Sequence, residues 1–95
     1  MAGDLNHYKF ISKLKNLEYV DEVWLFGSRA RGDNESRSDI DLAVICPKAS
    51  DSEWSRIMDL VEEADTLLEI DCLRFEKSRV SPEMYANVMR DKKVL

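Results

Sequence analysis

Gly27-Ser28-Arg29-Ala30-Arg31-Gly32-Asp33-Asn34-Glu35-Ser36-Arg37-Ser38-Asp39-Ile40-Asp41-Leu42 is the stretch on which the fold turns. In front of it a compact apolar run, Val23-Trp24-Leu25-Phe26, stops at Gly27 and Ser28, as a strand stops at a turn. At its far end Asp39-Ile40-Asp41-Leu42 leads into Ala43-Val44-Ile45-Cys46, and Pro47 ends the run, which predicts a second strand over 39–46. Side chains alternate across a strand, so Asp39 and Asp41 share one face while Ile40, Leu42 and Val44 share the other. Between the strands the polar residues 28–38, with Gly32 among them, predict a short helical turn and a loop.

Working outward, Leu5, Tyr8, Ile11, Leu14 and Leu17 recur at helical spacing, with Asp4 placed as the cap of that helix. The first strand is expected over Val20 to Phe26. Beyond Pro47, Ser50 to Ser52 offers helix caps, and Trp54, Ile57, Met58 and Val61 trace one helical face. Leu67 to Phe75 reads as a third strand. Ser81-Pro82-Glu83 is a helix-start signature, with proline at the first helical position and an acid in the first turn. Met84, Val88 and Tyr85 supply the apolar side of that last helix. The order helix, strand, turn, strand, helix, strand, helix predicts a small α/β (or α+β) domain over residues 1–95, with helices covering a sheet.

Composition narrows the class. Of 95 residues 44% are apolar and 35% charged, a globular balance. The longest apolar run, Leu42 to Cys46, is far short of the roughly 20 residues of a membrane helix. The first residues show no basic segment followed by an apolar stretch, so a cytoplasmic protein is expected. Fourteen Lys and Arg against nineteen Asp and Glu leave −5, which predicts no long-range attraction to nucleic acid. A local basic patch for a small phosphate ligand is compatible with that balance. Cys46 and Cys72 lie in apolar strands without C-x-x-C spacing and are expected to be reduced and structural. Trp24 and Trp54 are expected in the core.

The chemistry concentrates between Gly27 and Asp41. Two carboxylates on one strand face repel unless a cation or water lies between them, and a hard divalent ion such as Mg²⁺ fits that need. Glycine at the strand end lets backbone approach a phosphate, a helical turn starting there aims N–H groups at it, and the Ser28 hydroxyl adds a donor. Arg29 and Arg31 are available to neutralise phosphate charge, and Arg29, closer to the turn, is the stronger candidate. Asp71 and Glu69 share a face of the third strand. If that strand lies beside the second, Asp71 completes an acidic triad and can accept the proton of an attacking hydroxyl. His7, on the first helix, is remote from these residues in sequence.

Taken singly, each feature is ordinary: Gly-Ser is common turn chemistry, and a lone D-x-D is usually a solvated strand end. Their combination in this order is more informative. Competing motifs fail on spacing. Gly27-x₄-Gly32 has the glycines of a P-loop, but Asp33-Asn34 stands where Lys and Ser/Thr are required. An EF-hand loop from Asp39 would need oxygen ligands at 43 and 47 and a glycine at 44, where Ala43, Pro47 and Val44 stand.

Gly27-Ser28, ten residues, then Asp39-x-Asp41 resembles the signature of the DNA polymerase beta-like nucleotidyltransferase superfamily, and GSRARGDNESRSDIDL is similar in particular to its minimal nucleotidyltransferases. Asp71 stands where that family carries its third carboxylate. The resemblance implies a mixed sheet with flanking helices, two Mg²⁺ ions held by Asp39, Asp41 and Asp71, and transfer of AMP from ATP to a hydroxyl. Gly27 and Ser28, with Arg29, would hold the triphosphate. It further implies an antitoxin that adenylylates a tyrosine of a HEPN ribonuclease toxin. Compared with larger members, no second domain is left here to bind a nucleic acid or an antibiotic, so the acceptor is expected on another chain.

Two other readings stay open beside the protein adenylyltransferase. One is a binding module that neutralises its partner by forming a complex without catalysis. The other is a nucleotidyltransferase acting on a small molecule of the aminoglycoside type. Whether Glu69 joins Asp71 at the metal is likewise open at this stage.

Overall fold

Alternation along the second strand sets the layering of the molecule. In the computed structural model, which describes residues 8–95, the elements are α1 (Lys9–Lys15), β1 (Glu22–Phe26), α2 (Ser28–Arg31), β2 (Ile40–Ile45), α3 (Asp51–Glu62), β3 (Ile70–Arg74), α4 (Pro82–Asp91) and β4 (Lys93–Val94). The expected cap Asp4, with Leu5 and His7, lies outside the described residues. The strands form one mixed sheet in the order β3-β2-β1-β4. β1 runs antiparallel to β2 and to β4, whereas β2 and β3 are parallel. A parallel pair needs a crossover, and α3 supplies it.

The two faces are covered unequally. Val23 and Leu25 of β1 and Ile40, Leu42 and Val44 of β2 pack against Phe10, Ile11 and Leu14 of α1 and Ile57, Leu60 and Val61 of α3. Burying each such side chain contributes about 1.5–3 kcal/mol, so this layer carries most of the stability. On the other face Trp24, Phe26, Ala43 and Phe75 gather around Val88 of α4, with Tyr85 stacked on Phe75 at 5.3 Å between ring centroids. That second cluster is smaller, and it leaves one end of the face open.

The helix ends follow the expected chemistry. Ser50 caps α3 in a reciprocal box: its hydroxyl accepts from the Glu53 backbone N–H at 3.2 Å, and its own N–H donates to the Glu53 carboxylate at 2.8 Å. Ser81 caps α4 through the Met84 N–H at 3.1 Å, with Pro82 at the first position. Both cysteines are free thiols: Cys46 is buried, Cys72 is half-buried, and burial pushes the Cys72 thiol up to about 12. Trp24 is buried as expected, whereas Trp54 is half-buried at the edge of the larger core.

Two expectations are corrected. The short strand β4 was not anticipated, because two residues carry no readable alternation; the sheet edge beside β1 binds them through Leu95 N–H to Val23 C=O at 2.9 Å. Met84, expected on the apolar side of the last helix, is exposed. It sits in the first turn of α4, ahead of Tyr85 and Val88, which pack into the small apolar cluster. Among the described residues no helix is long and apolar enough to cross a membrane.

Candidate active site

Register brings the carboxylates together. Phe26 pairs with Asp41 across β1 and β2, and Asp41 pairs with Asp71 across β2 and β3. Paired residues on neighbouring strands point to the same side, and the strands lie about 4.8 Å apart. Phe26, Asp41 and Asp71 therefore form one row on the sheet face that α4 only partly covers. They line a cleft of about 420 Å³ with Cys72, Leu73 and Met84. Its floor is acidic and its walls are apolar.

The turn at Gly27 sits against this row. Gly27 has φ 75°, ψ −157°, a conformation open to glycine, and a Cβ there would collide with the Asp41 carboxylate. Glycine thus serves two purposes: it turns the chain from β1 into α2, and it leaves room for Asp41 beside the backbone. The four-residue α2 ends at Gly32, also at positive φ, so Ser28 and the two arginines are held on one helical turn between two glycines.

Electrostatics mark Asp41 as the strained member. Burial, first of all, and then the charge and hydrogen bond of Asp71 and the charge of Asp39 raise its carboxyl from 3.8 to about 6, against a lowering by Arg31. Asp41 is half-buried, while Asp39 and Asp71 are exposed. A proton on Asp41 relieves the repulsion within the acidic row, and a divalent cation can take its place. Among the described residues no group of three His, Cys, Asp or Glu side chains is gathered closely enough to hold a metal ion alone. The all-oxygen pair Asp41–Asp71 nevertheless fits Mg²⁺, which is held by one or two carboxylates together with water and substrate phosphates.

Asp39 and Glu69 border a neighbouring cleft, although the Asp39 charge still reaches Asp41. Asp39 lies just before β2 and, with Arg37, Leu67, Leu68 and Glu69, lines a second cleft of about 430 Å³. Glu69 thus accompanies Asp39 and not the Asp41–Asp71 pair, and the Glu69 C=O accepts from the Ile40 N–H at 2.9 Å.

Of the two arginines expected to be available for phosphate charge, Arg29 is taken up by the loop and Arg31 stays exposed. Arg29, expected at the phosphate, is buried, with 8% of its surface exposed. Its Nε and Nη2 donate to the Ser38 C=O at 3.1 and 2.9 Å, and Nη2 also donates to the Ser36 C=O at 3.2 Å. The backbone carbonyls of the loop, rather than solvent at the turn, engage its guanidinium. Arg31 is the exposed cation beside Asp41; it donates to Asp33 at 3.1 Å and to the buried carboxylate of Asp91 at 2.8 Å. Sequence reasoning missed Asp91 and the apolar walls Phe26, Leu73 and Met84. Phe26 and Leu73 were legible as strand residues, but nothing local says that they border a cleft.

The sequence profile of the family Polymerase beta, Nucleotidyltransferase matches residues 8–95. No curated protein matches the chain. Among solved structures, a chain from the crystal structure of a toxin–antitoxin with AMP-PNP is similar at TM-score 0.63 and 24% identity, over 90% of this chain and 68% of that one. A chain from a variant of the toxin–antitoxin MntA-HpeT is similar at TM-score 0.61 and 27% identity, over 90% of this chain and 68% of that one. With the family profile spanning the described residues, and the glycine turn and the Asp41–Asp71 row at the mouth of a mixed sheet, the chain belongs to the polymerase beta nucleotidyltransferase family.

Proposed function

We propose that this chain transfers AMP from ATP to a hydroxyl of a protein acceptor, as an antitoxin that modifies a tyrosine of its HEPN-type toxin. The observation that carries the reading is the Asp41–Asp71 row with Gly27 packed against it, beside an open apolar cleft. Both similar structures come from toxin–antitoxins, one of them with AMP-PNP, which supports a protein partner and a nucleotide ligand.

The residues divide the work as follows. Gly27 and Ser28 hold the triphosphate at the turn, where backbone can approach the phosphates closely. Asp41 and Asp71, with Asp39 at the rim, hold Mg²⁺. Divalent ions held there would supply positive charge to offset the negative charge that develops on the phosphates. Asp71, exposed at the mouth, orients the acceptor hydroxyl and takes its proton. The acceptor oxygen bonds to the α-phosphorus as the bond from that phosphorus to the bridging oxygen breaks, and pyrophosphate leaves. The apolar walls exclude water from the acceptor side, and alignment of the in-line attack supplies much of the rate.

Incubation with Mg²⁺ and ATP labelled at the α-phosphate, with the neighbouring gene's product as acceptor, tests the reading. Label is expected on the acceptor with the intact chain and none with the Asp39→Asn, Asp41→Asn double variant. Equal labelling by the folded double variant would sink the mechanism.

A second reading is a partner-neutralising module without catalysis. Asp39 lines the neighbouring cleft with Glu69 and not the one that Asp41 and Asp71 line, which favours it. Neutralisation that survives in the double variant, with no label transferred by the unaltered chain, would select this reading.

A further inference from the structure

Asp39 occupies an awkward place. It precedes β2, at the last residue before the strand begins, and ten mostly polar residues separate it from Ser28. Nothing in loop chemistry alone would fix the direction of its side chain. Its two flanking peptide planes, however, are both anchored. On the far side the Ile40 N–H donates to the Glu69 C=O at 2.9 Å. On the near side the Ser38 C=O, which belongs to the same peptide as the Asp39 N–H, accepts two bonds from Arg29, at 3.1 and 2.9 Å.

Arg29 comes from α2, the turn that begins at Gly27. Its planar fork reaches two carbonyls of one loop, those of Ser36 and Ser38, a geometry that the single ammonium of a lysine cannot reproduce. Burial of the guanidinium makes these bonds costly to lose, because an unpaired buried donor has no water to replace its partner.

We propose that Arg29 is a positioning residue: it staples the loop leading into β2 to the glycine turn, so that Asp39 and the phosphate-binding turn are set as one unit. Arg29 touches neither phosphate nor metal. This inference rests on the metal–nucleotide reading only for its functional consequence; the staple itself belongs to the free chain.

The test compares the unaltered chain with Arg29→Lys and Arg29→Met. Amide hydrogen exchange of the free protein should quicken at 36–39 in both variants while β1, α3 and the centre of β2 stay protected. Mn²⁺ affinity, followed by its electron paramagnetic resonance signal, should fall about 10–100-fold in Arg29→Met, the usual effect of losing a partner that orients a ligand. Arg29→Lys, which keeps one donor, should recover part of that loss. In label transfer the apparent KM for the metal should rise, with the KM for ATP at saturating metal unchanged.

Unaltered exchange at 36–39 in both variants would overturn the staple. A raised KM for ATP with unaltered Mn²⁺ affinity would overturn it too, in favour of a direct phosphate contact. Failure of the unaltered chain to bind Mn²⁺ would count against the metal site, and the exchange data would still decide on Arg29. If Arg29→Met does not fold, Arg29→Lys, which retains the charge and most of the volume, carries the comparison.

Discussion

The two faces of β2 make the instructive comparison in this molecule. Ile40, Leu42 and Val44 point to the side covered by α1 and α3 and are fully buried. Asp41, one residue away from two of them, points to the side that α4 leaves partly open, where it meets Asp71 and the Gly27 turn. One strand of six residues therefore serves stability on one face and the candidate chemistry on the other. Rigidity from the dry face is what allows a half-buried, mutually repelling acidic pair to persist on the other.

Asymmetric damage should expose this division. The largest loss of stability is expected on the dry side: Leu42→Ala should cost about 2–5 kcal/mol in urea denaturation, through lost burial and the cavity left behind. A loss below 1 kcal/mol would mean that α1 and α3 collapse readily around the gap. At the hinge between the faces, Gly27→Ala combines a positive φ with a collision against Asp41. It should destabilise by about 1–3 kcal/mol. It should also depress label transfer beyond the fraction unfolded, since Asp41 must move. Transfer that follows the folded fraction alone would separate the turn from the site.

On the open side the effect reverses sign. Because the Asp41 carboxyl is raised from 3.8 to about 6, the folded chain holds an extra proton between those values, and stability falls as pH rises through them. Asp41→Asn removes that penalty. Its melting temperature should match the unaltered chain below pH 4 and exceed it above pH 6, in the absence of divalent metal. A variant less stable at pH 8 would show that the acidic pair holds the fold together. By the same linkage Mg²⁺ must displace the Asp41 proton, so its affinity should weaken as pH drops below 6. The smallest effect belongs to the surface: Arg79→Ala, which loses an exposed pair with Glu76, should change stability by about 0–1 kcal/mol.

Much of this was legible from the chain. Alternation of Asp39, Asp41 with Ile40, Leu42 marked both faces of β2, and the Ser50 and Ser81 caps marked two helix starts where they occur. The end of β1 at Gly27 was equally plain. The placement of Arg29 was not: nearness to the turn in sequence suggested phosphate, while the path of the loop carried its side chain to the Ser36 and Ser38 carbonyls. Met84 and Val88 had the same helical pattern, yet Met84 is exposed at the cleft while Val88 is fully buried among Trp24, Phe26, Ala43 and Phe75.

What the sequence determined by itself is local: the strand and helix periods, the caps, and the glycine turn, all of which depend on backbone dihedrals and side-chain spacing over a few residues. What only the tertiary structure decided is which distant residues share a row. Asp71 lies thirty positions beyond Asp41 in the chain and beside it in the sheet. That neighbourhood depends on a parallel register imposed by α3 crossing the buried face, a long-range packing choice that no short window of sequence encodes.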